Sequence, residues 1–101
     1  MLTSNEKETI EQLLCLIESI LSSIESEFNK NIDDYSDLLK AKNILASNNT
    51  EAMKSVRKKL RNGFRMIDES IQVPDALNGK INDAYEIAMV NEIFNNEWNI
   101  Q

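Results

Sequence analysis

The apolar residues in the first 29 positions keep a helical register. Ile10, Leu14, Ile17, Leu21, Ile24 and Phe28 recur at alternating spacings of four and three, and Leu13, Leu16 and Ile20 widen the stripe. A repeat near 3.6 residues puts such positions on one side of a helix. Ahead of it stands Thr3-Ser4-Asn5-Glu6, the pattern of a capping box. In such a box the Thr3 hydroxyl accepts from an early helical N–H and Glu6 reaches back to the backbone of Thr3. The pattern predicts a long amphipathic helix from Ser4 to about Asn29.

Three shorter stripes follow. Ile32, Tyr35, Leu38, Leu39, Ile44 and Leu45 predict a second helix over 33–46, capped by Asn31 or Asp33, with Asp33, Asp34 and Asp37 at the positive end of its dipole. Ser47-Asn48-Asn49-Thr50 reads as a turn. Met53, Val56, Leu60, Phe64, Ile67 and Ile71 predict a third helix over 51–71. Gly63 inside it costs about 1 kcal/mol relative to Ala, which implies close packing or a local bend. Val73-Pro74-Asp75 should break the chain, because the residue before a proline is pushed out of helical geometry. A fourth helix is expected over 75–95, with Asn78-Gly79 as a candidate irregularity. Leu77, Ile81, Ala84, Tyr85, Ala88 and Met89 occupy one side of it and Ile87, Val90 and Phe94 another, so it is expected to be covered from two directions. Trp98 and Ile100 are expected to fold back onto the body. With only two Gly and one Pro, sandwich and barrel topologies are disfavoured. The expectation is an all-α protein, a compact bundle of about four helices forming a single helical domain over residues 1–101.

Charge adds a question to this picture. The formal net charge is −6, and residues 1–29 set six Glu against Lys7 alone. Yet KSVRKKLRNGFR, residues 54–65, contains no acid and six of the eleven cationic side chains. Lys54, Arg57, Lys58, Arg61 and Arg65 stand three or four apart and so form a helix face. Such a face can bind phosphates. It can also pack beside the acidic first helix, its stems covering apolar surface and its charges meeting Glu. The acidic chain, the lack of stacking aromatics other than Phe64 on the apolar stripe, and the absence of a helix-turn-helix signature favour the second reading and argue against nucleic acid. Arg57, Lys58, Arg61 and Arg65 remain the candidate basic face.

The residues that carry most chemistry are missing. The chain has no His, which removes the commonest general base and zinc ligand. The lone Cys15, within LLCLI, cannot form an intramolecular disulfide and is expected to be a small buried hydrophobe. Asp33-Asp34-x-x-Asp37 lacks the spacing, turn glycine and terminal Glu of a calcium loop. Asp68 and Glu69 are adjacent on a helix and point about 100° apart. No glycine-rich phosphate loop is present. No catalytic residue, metal ligand or cofactor is assigned, and an enzyme is not expected. No run approaches the roughly 18 apolar residues of a membrane span, and the N-terminus lacks a signal pattern, so no membrane association and a cytoplasmic location are expected.

A binding protein is what remains. Glu11, Glu18 and Glu25 on the first helix, with Asp33, Asp34 and Asp37 beyond it, are the candidate partner-binding residues, suited to a basic partner by charge complementarity. The stretch IDESIQVPDALNGKINDAYEIA, residues 67–88, breaks and then places Asp83, Ala84, Tyr85 and Ala88 on a last helix. It is similar in general character to the closing helix of some small all-helical immunity proteins that bacteria keep against interbacterial toxins. The resemblance implies direct, neutralising binding to a toxin domain, and it carries over no individual residue. The alternative is a homo-oligomeric structural or regulatory module, in the simplest case a homodimer, supported by the width of the first helix's apolar stripe.

Overall fold

The capping box forms at the start of the chain. Thr3 Oγ1 accepts from the Glu6 N–H at 3.1 Å, and Glu6 Oε1 accepts from the Thr3 N–H at 2.8 Å. The computed structural model describes residues 2–94, and among these there are four α-helices and no strand. They are α1 (Ser4–Glu27), α2 (Ser36–Ser47), α3 (Val56–Ser70) and α4 (Asp75–Val90).

The helix ends depart from the sequence expectation for local reasons. Asn29 adopts the left-handed conformation at φ 52°, and the Lys30 N–H turns back to Ile24 O at 3.2 Å, so α1 stops at Glu27. The Asn31 side chain caps Asp33 N at 3.0 Å and opens a 3₁₀ turn, Ile32–Asp34, instead of the second helix. Tyr35, at φ −106° and ψ 57°, then breaks helical geometry, and α2 begins at Ser36. Asn48, left-handed at φ 54°, ends it. Asn49 Oδ1 accepts from Ala52 N at 3.2 Å, so the third segment also opens as a 3₁₀ turn, Ala52–Ser55. Pro74 sits at the N-cap of α4, which runs unbroken through Asn78 and Gly79. It stops at Val90, ahead of a 3₁₀ turn over Glu92–Phe94. The expected end at 95, with Trp98 and Ile100, lies outside the described residues.

The helices pack as a four-membered ring in which α2 and α4 each contact both α1 and α3, while α1 and α3 stand diagonally. This corrects the expectation that the basic helix lies beside the acidic one. The described buried side chains are apolar throughout and make one core, to which α1 gives Ile10, Leu13, Ile17, Ile20, Leu21 and Ile24. Leu14, Leu16 and Phe28 are half-buried against that core, so the bundle itself uses the broad stripe of α1. At the α2–α3 seam Gly63 meets Leu38 so closely that an added Cβ would overlap Leu38 Cγ, come within 2.8 Å of its Cδ2 and lie 3.3 Å from its backbone N. Close packing, and not a bend, is the reason for this glycine. Nearby the buried Tyr35 shares a 2.7 Å hydrogen bond with the Ser70 hydroxyl, which itself donates to Ile67 O at 3.3 Å, tying the start of α2 to the end of α3.

Two expectations about apolar side chains fail. Cys15 is exposed. At about 100° per residue it lies opposite the middle of the arc defined by Ile10, Leu13, Ile17 and Ile24, so its place inside LLCLI does not bury it. The two-sided cover expected of α4 is only partial: on the second side Phe94 is buried and Ile87 half-buried but Val90 is 71% exposed, and on the first side Met89 is 42% exposed.

Candidate functional site

Helix α4 is the shared wall of two clefts of opposite charge. Toward α1 the cleft has a volume of about 640 Å³ and is lined by Glu8, Glu11, Gln12, Cys15 and Leu16 from α1 and Asp83, Glu86 and Ile87 from α4. The seam runs antiparallel, as the far end shows: Lys80 Nζ donates to Ser19 Oγ at 2.7 Å, one turn toward the start of α4 from the cleft. Leu16 and Ile87, both half-buried, form an apolar floor, and Cys15 presents its thiol beside them. Four carboxylates line the cleft and no cationic side chain does. Among the described residues no three thiol or carboxylate groups are placed to share a metal ion. The acids are therefore spread along a groove, an arrangement that attracts extended positive charge and offers it apolar contact.

Of the acids predicted from sequence, Glu11 alone is in this groove. Glu18 and Glu25 continue its line along α1, seven residues apart and exposed. Asp33 and Asp34 stand exposed in the 3₁₀ turn beyond α1, and Asp37 is half-buried in the first turn of α2. Glu8 and Glu86 are not among the residues the sequence suggests for a site, and Asp83 stands out there only as part of the last helix, not as a partner-binding acid. The heptad interval from Glu11 to Glu18 to Glu25 is visible there, but the approach of Asp83 and Glu86 from the other end of the chain is not.

Toward α3 the cleft has a volume of about 360 Å³. Arg61, Arg65 and Asp68 line it from α3, and Asn78, Asn82 and Tyr85 from α4, with Phe64, Val73 and Ile81 supplying apolar surface. The Phe64 and Tyr85 rings meet edge to face, centroids 5.0 Å apart at 78°. Burial raises the Tyr85 phenol above its ordinary pKa of 10.0, against the lowering pull of Arg61 and Arg65, so its hydroxyl stays a proton donor at neutral pH.

The basic run thus divides by position. Arg57 reaches across to the end of α4, where its Nε donates to Ala88 O at 2.7 Å and one terminal nitrogen to Met89 O at 2.9 Å and Asn91 O at 3.2 Å. Asn91 Nδ2 donates to Ile87 O at 2.7 Å. A cation here satisfies carbonyls that a helix end leaves without partners and complements the negative end of the dipole. Lys58 is exposed and lines neither cleft, while Arg61 and Arg65 flank Tyr85.

No protein family, curated protein or solved structure matches this chain. No helix among the described residues is long and apolar enough to cross a membrane.

Proposed function

We propose that this is a non-catalytic cytoplasmic binding protein of the immunity type, which neutralises a toxin domain by receiving a basic part of its surface in the α1–α4 cleft. One observation carries the reading: four carboxylates, with no cation among them, line a groove whose floor is apolar. Apolar contact supplies affinity, while the carboxylates speed encounter and reject acidic surfaces. Like charges spread along one groove leave it with an unbalanced negative field, which a cationic partner neutralises.

The test is growth protection combined with binding. The toxin candidate is the product of the gene adjacent to this one, expressed with the wild-type chain or with a Glu11→Lys/Glu86→Lys variant. Wild type should protect cells and form a stable complex whose association slows as salt is added. The variant should fold normally, lose protection and bind at least about a hundredfold more weakly, since it replaces attraction with like-charge contact on both walls. Protection that survives the double reversal would overturn the placement of the site, and failure of the wild type to bind any basic toxin domain would overturn the function.

A further inference from the structure

The α3–α4 cleft gives the remaining arginines a different task. Arg61 and Arg65 are one helical turn apart, exposed at their tips, and neither has an ion pair or hydrogen bond among the described residues. Two guanidinium groups on one wall oppose the Asn82 amide and the Tyr85 hydroxyl on the other. The Tyr85 hydroxyl likewise has no hydrogen-bond partner among the described residues. Several free donors therefore converge on a cleft with an apolar side, the composition of a site that orients a small polar head on an apolar body. Guanidinium forks match planar oxyanions, and hydrogen bonds to a charged acceptor are the strong ones.

We propose that this cleft binds a carboxylate carried on a short apolar or aromatic body, with the anion between Arg61, Arg65 and Tyr85 and the body against Ile81 and Phe64. Asp68 decides between carboxylate and phosphate. It lines the same cleft, so two cations are offset by one anion and a single negative charge completes the balance. A phosphate dianion would add a surplus charge beside the Asp68 carboxylate. The site is independent of the acidic groove, which lies on the other side of α4.

Backbone amide shifts of the intact protein, titrated with four probes, test this. Hydrocinnamate and an acetylated dipeptide ending in Phe present a carboxylate as a free acid and as a chain end. Hydrocinnamide lacks the charge, and phenyl phosphate replaces the carboxylate. Both carboxylates should shift residues 61–68 and 78–85 with about millimolar affinity, as their size allows. The tighter of the two shows which source the site prefers. Arg61→Gln and Arg65→Gln should each weaken binding by about tenfold or more, Tyr85→Phe by less, and Lys58→Gln not at all. Circular dichroism confirms that each variant is folded. No shift from either carboxylate, an equal response to hydrocinnamide, or phenyl phosphate binding more than about tenfold tighter would overturn the assignment.

Discussion

The α2–α3 and α1–α4 seams join the same four-helix ring in opposite ways. At the first, Gly63 lets two backbones approach until Leu38 fills all the space a Cβ would need. At the second, Ala84 and Ala88 are buried under the seam, but its outer edge stays open and Cys15, Glu11 and Glu86 remain in contact with solvent. A closed seam holds the fold together. An open seam with an apolar floor and unbalanced charge leaves interaction energy unused, which is what a binding surface requires.

The largest expected effect follows from breaking the closed seam. Leu38→Ala should lower stability by about 2–5 kcal/mol, the range for removing a fully buried Leu, as read from urea unfolding. Gly63→Ala should also destabilise, by about 1–2 kcal/mol, because overpacking outweighs the roughly 1 kcal/mol helix-propensity gain. In the Leu38→Ala background the same change should become much less costly or neutral, since the obstructing side-chain atoms are gone and only the backbone N of residue 38, at 3.3 Å, stays close. A Gly63→Ala cost that is unchanged in the double mutant would contradict the contact.

Smaller effects are expected around α4. Apart from its own helix backbone and chain neighbours, nothing lies within 4 Å of a Cβ built at Gly79, so Gly79→Ala should raise stability by up to about 1 kcal/mol through helix propensity alone. The two glycines should therefore respond with opposite signs. Cys15→Ser should change stability by less than about 0.5 kcal/mol, the usual range at a surface position. A loss of 2 kcal/mol or so, typical of a core site, would mean that the seam is closed after all.

The sequence exposes what is decided locally. The Thr3 and Glu6 capping box, the four apolar stripes and the break at Pro74 each depend on neighbouring residues, and each is present in the fold. Asn31 and Asn49 are recognisable as cap and turn residues, but the 3₁₀ turns that they open are not, because a capping Asn side chain can precede either kind of helix. Cys15 misleads because a contiguous run such as LLCLI covers the whole circumference of a helix, and only the azimuth of each position separates core from surface. Neither the diagonal placement of α1 and α3 nor the reach of Arg57 to the end of α4 has a local signature, since both depend on which helices become neighbours. For the same reason Glu11 was the one groove residue identified, while Asp83 and Glu86 arrive from about seventy positions further along the chain.

The most direct test of an open, partner-receiving α1–α4 seam is the alkylation rate of Cys15, the only thiol in the chain. In the free native protein it should react at a rate close to that of the denatured chain, because the side chain is exposed. With the proposed basic toxin domain bound it should be strongly protected, and the Glu11→Lys/Glu86→Lys variant should stay reactive in the same mixture. A thiol already protected in the free protein would contradict the open seam, and one that remains fully reactive in the wild-type complex would contradict its role as the binding face.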